Sequence, residues 1–336
     1  MPALEARSVA FERAAFRIRR LEDPDGSGPL VSVANTKLQA LCDQGLEGQW
    51  DPALAIDWNQ EVAFGASLPE DPGLRGYLES PLGHHGRTTW NRFRWQFQIW
   101  LVSQFLHGEQ VALDGAARVR DSAADPLVRR AASVQVMDEQ RHILVFRRYL
   151  EEHAPDGPYS TSPAFTDLVR TMQERSDRDF ELLGIQVLIE GIAVAAFRMA
   201  ASTLHDPLIR SIVQAVQRDE ARHAAFGMIH LKPLYAEMTA LERRERVDFL
   251  LTALDLTMRR FLLPEVWERI GIAPGLGNAF AERDPVMIAY RRTLLLKAVS
   301  IIRSVGLLDQ RMQHGLEGLG IRFRDATIDA AIAASP

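Results

Sequence analysis

The chain has 336 residues, of which 47% are apolar, so it can bury a large core in one large domain or two ordinary ones. Its formal net charge of −5 and its scattered basic residues exclude the charge pattern of a protein that binds nucleic acid or an anionic membrane. The single cysteine, Cys42, excludes an internal disulfide framework and a metal site built from thiolates.

Residues 1–87 predict an N-terminal extension of short helices and loops, because stretches with Pro and Gly interrupt them repeatedly. The first 20 residues carry Glu and Arg throughout, unlike a signal peptide. No run along the chain approaches the roughly 18 apolar residues of a membrane span. We therefore expect a cytoplasmic protein that acts on a small molecule, with no nucleic-acid or membrane partner.

Four long helices are predicted after this extension, because apolar residues recur there at three- and four-residue spacing. Asp125 and Asp206 each precede a proline, which is typical of an N-cap followed by the first helical residue. The predicted helices cover 88–120, 126–152, 165–204 and 207–232.

The third helix is predicted to begin late or to be broken at ERSDRD (174–179). If a two-fold axis relates the halves of the bundle, the second and third helices are parallel, and their connection must return along the bundle. A dozen extended residues span only about 40 Å, which is too short for a return to an unbroken third helix.

Two further helices are predicted over 241–263 and 286–308, around a connection rich in Pro and Gly, and we expect them to pack outside the bundle. No β-branched run with a period of two occurs, so the fold class is predicted as all-α. We expect a single domain over 1–336, with the four-helix core at 88–235 and the C-terminal helices at 236–336.

An internal repeat relates the two halves of the predicted bundle. At an offset of 81 residues, DPLVRRAASVQVMDEQRH (125–142) matches DPLIRSIVQAVQRDEARH (206–223) at eight of eighteen positions, and Glu109 falls on Glu190. Each half therefore contains a glutamate, an Asp-Pro helix start and a Glu-x-x-His motif at equal spacing. The repeat indicates two duplicated helix pairs that form a four-helix bundle.

The Glu-x-x-His motifs have the spacing of metal ligands. Residues three apart share one side of a helix, so each motif presents a carboxylate and an imidazole together. The glutamates of the other two helices lie in apolar surroundings, where unpaired carboxylates are costly. Two metal ions would compensate these charges, and oxygen-rich donors favour iron or manganese over zinc or copper. The predicted ligands are Glu109, Glu139, His142, Glu190, Glu220 and His223.

Other interpretations of these motifs stay open. A lone Glu-x-x-His is common in helices without a metal, and a duplicated bundle could have lost its ions. Asp138 with Arg141, and Asp219 with Arg222, could be surface ion pairs. We expect instead that both aspartates accept the second ring N–H of the histidine ligands and that both arginines hold the aspartates in place.

A substrate pocket is predicted from the helical positions near the ligands, where small residues leave space. The same positions could equally belong to an ordinary core. The predicted pocket residues are Phe105, Ala112, Phe146, Ala193, Val194 and Phe197, and Ala116, Gln186 and Phe226 lie on similar faces.

The pattern over 88–235 resembles the ferritin-like di-iron carboxylate superfamily. DEQRH and DEARH are similar to the doubled Asp-Glu-x-Arg-His of bacterial multicomponent monooxygenase hydroxylase subunits. The separation between Glu109 and DEQRH is similar to the opening motif of arylamine N-oxygenases. The resemblance implies a ferritin-like bundle whose six ligands hold two irons that activate O2 and oxidise a substrate in a neighbouring apolar pocket.

The chain also departs from related families. Phe146 occupies the position of the radical tyrosine of ribonucleotide reductase small subunits, four residues after His142. Val216 replaces the additional histidine ligand of the arylamine N-oxygenases. Ala193 and Val194 occur where many hydroxylases and desaturases carry a threonine.

These features lead us to expect an O2-dependent di-iron oxygenase or oxidase that hydroxylates or N-oxygenates a small organic substrate. Its cofactors would be two Fe ions, or Mn and Fe, together with O2, and a reductase or ferredoxin would donate electrons. The chain could form a homodimer. A Mn/Fe or ribonucleotide-reductase-like oxidase is the alternative within enzymes. A ferroxidase is the alternative of another class, against which the added N- and C-terminal helices argue.

Overall fold

The computed structural model describes residues 29–175 and 178–321, and every regular element in these ranges is a helix. The all-α prediction is confirmed. The described part of the N-terminal extension, from residue 29, contains a 19-residue helix, which is longer than the sequence predicts, followed by short helices and loops. Its elements are α1 (Pro29–Glu47), α2 (Pro52–Ala55), α3 (Pro72–Glu79) and a 3₁₀ turn (Pro81–His85). The predictions for 1–28 lie outside the described residues.

Four helical stretches form the bundle, close to the predicted bounds. The predicted caps form as expected, because Asp125 accepts a hydrogen bond from the backbone N–H of Leu127 and Asp206 accepts one from that of Leu208. The elements are α4 (Gly86–Ser122), α5 (Pro126–His153), α6 (Pro163–Gln173), α7 (Arg178–Leu182), a π segment (Leu183–Ile189), α8 (Glu190–Thr203) and α9 (Pro207–Ala236).

The predicted break in the third helix is present. Helix α6 ends at Gln173 and α7 begins at Arg178, and residues 176 and 177 between them lie outside the described residues. The π segment that follows was not predicted. It ends at the residue before Glu190, and such wider turns occur often at functional sites.

Up to residue 321 five helices follow the bundle, and the prediction for 322–336 lies outside the described residues. The two predicted ones are present, but the Pro- and Gly-rich connection between them forms two short helices instead of loops, because Pro264 and Pro274 each start a helix. The elements are α10 (Ala240–Arg260), α11 (Pro264–Arg269), α12 (Pro274–Arg283), α13 (Pro285–Ser304) and α14 (Gln310–Gly318).

Helix α13 packs directly on the bundle helix α8. A Cβ atom added to Gly191 would lie 3.3 Å from the Cα of Ala298, so glycine allows the two backbones to approach closely. By length and composition the helix Asp179–Thr203 could span a membrane, but 67% of its apolar window is buried inside the protein. Its apolar character is therefore that of a core helix in the bundle.

Candidate metal centre

The structure brings the six predicted ligands together at one level of the bundle. Glu109 projects from α4, Glu139 and His142 from α5, Glu190 from the start of α8, and Glu220 and His223 from α9. All six side chains are buried. They form two groups whose potential ligand atoms lie within 4.8 Å of one another. The groups are Glu109, Glu139, His142 and Glu220, and Glu139, Glu190 and His223.

Glu139 and Glu220 each face both histidines. Glu139 places Oε2 3.3 Å from His142 Nδ1 and Oε1 3.1 Å from His223 Nδ1. Glu220 places Oε1 3.0 Å from His142 Nδ1 and Oε2 3.3 Å from His223 Nδ1. Each of these carboxylates can therefore bridge two ions.

The other two glutamates each face one histidine. Glu109 Oε2 lies 3.2 Å from His142 Nδ1, and Glu190 Oε2 lies 3.8 Å from His223 Nδ1. Each imidazole is thus surrounded by one terminal and two bridging carboxylates. The chain has the helix and ligand arrangement of a di-metal carboxylate bundle.

The donor set fits two cations. Glu139 Oε2 and Glu220 Oε1 are buried and have no hydrogen-bond partner within the described ranges, although a ring nitrogen lies close to each. Oxygen and nitrogen atoms that converge without hydrogen-bond geometry are arranged as ligands of a metal ion.

The charges around the site support the same fit. The four glutamates, Asp138 and Asp219 carry six negative charges when ionised, and the arginines that pair with the aspartates carry two positive charges. Four negative charges remain when both histidines are neutral. Two divalent ions would neutralise them. Buried like charges in this number cannot all stay ionised without cations.

Without metal ions, protonation of the site's own side chains offsets negative charge. Burial, and next the charge of Glu220, raises the pKa of Glu109 and of Glu190 well above the usual value. Burial by itself lowers the pKa of both histidines, but the surrounding carboxylates raise each pKa well above 6.5. The largest of these carboxylate effects comes from Glu109 for His142 and from Glu139 for His223. Protons on these groups would therefore offset negative charge that two divalent ions would otherwise offset.

The two aspartates contact the histidine rings crosswise between the halves of the repeat. Asp219 Oδ2 lies 3.1 Å from His142 Nε2, and Asp138 Oδ2 lies 3.3 Å from His223 Nε2. The sequence predicted that both aspartates contact the histidine ligands but not which aspartate contacts which histidine. The structure pairs each aspartate with the histidine of the other half, because α5 and α9 face each other across the site.

Each arginine binds both aspartates. Arg141 Nη2 lies 2.6 Å from Asp138 and 2.9 Å from Asp219, and Arg222 Nη2 lies 3.0 Å and 2.7 Å from the same two residues. Both aspartates are buried, so the alternative of exposed surface ion pairs does not describe them. The four side chains form a closed network behind the histidines.

The N-terminal extension completes this network, which the sequence did not reveal. Gln49 Nε2 donates to Asp138 Oδ1 at 2.8 Å, and Trp50 Nε1 donates to Asp219 Oδ2 at 2.9 Å. The guanidinium of Arg141 lies over the Trp50 ring, 4.8 Å from its centroid. No spacing in the sequence connects these residues, which lie far along the chain from their partners.

Gln135 was also missed as a contact of the ligands. Its Nε2 donates to Glu139 Oε1 at 2.9 Å and to Glu190 Oε1 at 3.0 Å, while Gln186 Nε2 donates to Gln135 Oε1 at 3.0 Å. Gln135 and Gln186 each precede a ligand glutamate by four residues, so their positions on the ligand faces could have indicated this role.

A cavity of about 60 Å³ lies beside Glu109 and Glu190. It is lined by four of the six predicted pocket residues, namely Phe105, Ala112, Ala193 and Phe197.

Phe146 and Val194 do not line this cavity. Phe146 packs behind Phe197, with parallel rings 5.8 Å apart. Val194 is the residue after Ala193, so its side chain points about 100° further around the helix. It packs in the hydrophobic cluster that contains Leu250 and Leu295.

Comparison with known proteins gives little beyond this geometry. No family model matches the chain, and no curated protein matches its sequence. One solved structure that matches is a valine-to-isoleucine variant of an R2-like ligand-binding oxidase with an aerobically reconstituted Mn/Fe cofactor. The match has 13% identity and a TM-score of 0.48, and covers 92% of this chain and 95% of that chain. Similarity at this level assigns no function.

Proposed function

We propose that this protein is a dinuclear non-haem metal oxidoreductase that uses O2 to oxidise a small organic substrate. The observation that carries the proposal is the convergence of four carboxylates and two imidazoles, in which Glu139 and Glu220 face both histidines. Iron, or manganese with iron, suits this oxygen-rich set without thiolates. When bound, such ions supply the redox chemistry that activates O2.

The chain holds the ligands in fixed orientations. His142 and His223 direct Nδ1 to the glutamates, and the aspartates behind them accept hydrogen bonds from Nε2. These hydrogen bonds set the tautomer and make Nδ1 of each imidazole a stronger metal ligand. Gln135 donates to Glu139 and Glu190 and so keeps two carboxylates of the second group aligned. The site is therefore preorganised before substrate arrives.

The cavity beside Glu109 and Glu190 is the proposed substrate pocket. Its walls near these glutamates are apolar and aromatic, which excludes bulk water and favours an apolar part of the substrate. Glu109 and Glu190 line this pocket, so a substrate bound there lies beside these two glutamates. A separate reductase or ferredoxin is the proposed electron source.

Anaerobic loading with ferrous iron, followed by O2, tests this function. The expected result is two irons per chain, a transient change in absorption after O2 is added, and an oxidised organic product when substrate is present. Glu139→Gln removes the charge of a bridging carboxylate and should abolish the O2 reaction. Glu151→Gln, at an exposed position of the same helix, is the matched control and should react as the unmodified protein does.

The two alternatives predict other outcomes. A ferroxidase would turn over iron with O2 without any organic product. A radical-storing oxidase would yield a stable tyrosyl radical, which the buried Phe146 at the corresponding position does not favour.

A further inference from the structure

The cavity beside the metal centre has a polar end that the metal ligands do not use. This end is formed by Gln104, Thr257 and Arg260, whereas most of the remaining wall is apolar. Thr257 directs its hydroxyl to the backbone oxygen of Ala253 at 2.9 Å. Gln104 and Arg260 are therefore the polar groups available to a ligand.

Arg260 is a partly buried cation that forms no ion pair with a carboxylate of residues 29–175 or 178–321. It contacts Gln104 and the rings of Phe165 and Trp100, whose centroids lie 4.2 Å and 6.0 Å from the guanidinium carbon, and the charge of Glu265 acts on it only at longer range. Burial lowers the pKa of Arg260 to about 9, so the side chain stays protonated at neutral pH while it has lost much of its hydration. An anion beside it would offset that loss.

Gln104 presents an unpartnered donor at the same end. Its Oε1 accepts from Arg260 Nε at 2.9 Å and from Arg260 Nη2 at 2.6 Å, which fixes the orientation of the amide. The Nε2 group is therefore directed away from the guanidinium. It is buried and has no hydrogen-bond partner in the described part of the chain, and the side chain is only 4% exposed. A buried N–H without an acceptor is uncommon, and an acceptor atom on a bound ligand would satisfy it.

We propose that this cavity binds a small carboxylic acid, whose carboxylate accepts hydrogen bonds from Arg260 and Gln104 and whose apolar body extends toward Glu109 and Glu190. A guanidinium and an amide N–H together offer only donors, which match the two acceptor oxygens of a carboxylate. Such an acid would be the substrate of the proposed function. Its oxidation rests on that function, whereas its binding does not.

The dimensions of the site limit the size of the acid. Gln104 precedes Glu109 by five residues on α4, which corresponds to about 7–8 Å along the helix axis. The atom that is oxidised would therefore lie about one ring or one short alkyl chain away from the carboxylate. Phe105, Phe197 and Ala193 line the space between.

A purely structural role for Arg260 makes a different prediction. The side chain joins the end of α10 to α4 through Gln104, so its loss could lower stability without any effect on ligand selection. Selectivity between an acid and its neutral amide separates the two roles, because only a carboxylate gains from the positive charge.

The test is calorimetric titration of the full chain with benzoate and with benzamide, both metal-free and loaded with two zinc ions. We expect benzoate to bind at least about tenfold more tightly than benzamide in both forms. Arg260→Met should weaken benzoate binding by about 30-fold and leave benzamide binding nearly unchanged. The control is Arg259→Met, because Arg259 is the preceding residue, is exposed and pairs with Asp255, and it should bind as the unmodified chain does.

Three results would overturn the proposal: equal affinity for the acid and the amide, no binding of either, or benzoate binding that requires metal and is unaffected by Arg260→Met. If Arg260→Met does not fold, Gln104→Glu supplies the same test, because it replaces the free donor with an anion. Benzoate binding should then be lost, and unchanged binding contradicts the proposal. Retained benzoate selectivity without any O2 reaction would contradict the proposed function alone.

Discussion

Asp138 lies on the first Glu-x-x-His helix, yet its Oδ2 is 3.3 Å from Nε2 of His223 on the second. The symmetrical contact joins Asp219 to His142 at 3.1 Å. Each aspartate therefore orients the histidine of the other half, and the two halves of the repeat form one site whose parts depend on each other.

Asp138→Asn tests this crosswise arrangement. The amide that replaces the carboxylate has no charge to support the imidazole of His223, so we expect metal affinity to fall by about 10–100-fold. The affinity for the ion next to His223 and Glu190 should fall more than the affinity for the ion next to His142. A stepwise metal titration measures both affinities. Weakening of the His142 side alone would contradict the crosswise pairing, and Asp121→Asn, at an exposed position on α4, is the control.

Metal loading should release protons. The pKa values of Glu109, Glu190, His142 and His223 are all raised in the metal-free site, so these groups hold protons more strongly than usual and must lose any protons they hold to bind ions. We therefore expect proton release on loading. The measurement is loading with a divalent ion in weakly buffered solution with a pH indicator.

The sign of the pH effect on metal binding follows from the same shifts. Lower pH favours the protonated groups and should weaken metal binding, whereas higher pH should strengthen it. Loading without any proton release, or affinity that does not change with pH, would mean that the four groups already lack protons in the metal-free protein.

The five tyrosines predict instability in alkali. Burial raises the pKa of every one above the usual value of 10.0. Above pH 10 the unfolded chain therefore loses these protons while the folded chain keeps them, so the free energy of unfolding falls as pH rises. Each tyrosine contributes up to about 1.4 kcal/mol per pH unit. The residues are Tyr77, Tyr149, Tyr159, Tyr235 and Tyr290.

Urea unfolding at increasing pH, together with the ultraviolet absorption of tyrosinate, measures this effect. Tyr290→Phe should make the alkaline loss of stability less steep, because one group that ionises on unfolding has been removed. Ionisation of the tyrosines near pH 10 without unfolding would contradict the burial of their hydroxyl groups.

Gly227 permits the π segment to lie against α9. A Cβ atom at this position would be 2.3 Å from Gln186 Cβ, so Gly227→Ala must displace the segment that precedes Glu190. We expect a loss of about 1–3 kcal/mol in stability and weaker metal binding beside Glu190. Gly275→Ala is the control, because a Cβ there meets nothing within 4 Å. Equal behaviour of the two variants in thermal unfolding and metal titration would refute this role.

Much of the architecture could be predicted from the sequence, because the relevant information is local or repeated. Asp125 and Asp206 start helices through contacts with neighbouring residues, and the 81-residue offset relates Glu109 to Glu190 directly. Helical periodicity places Glu139 and His142 on one face. The structure brings these side chains together as the spacing indicated.

The remaining features depend on contacts between distant segments. Helical spacing shows which face Asp138 occupies but not which histidine that face meets. Trp50 reaches Asp219 across 169 residues of sequence, and no periodicity connects them. The π segment before Glu190 lies against Gly227, a contact between distant segments that propensity does not reveal. One residue of helix rotation separates Ala193, which lines the cavity, from Val194, which lies in the core.

Metal content after anaerobic loading shows directly whether the six side chains hold two ions. We expect two ferrous ions per chain in the unmodified protein, with His142→Ala and His223→Ala each binding fewer ions while they remain folded and helical. Fewer than one ion per chain in the unmodified protein, or the same two ions in both variants, would contradict this expectation.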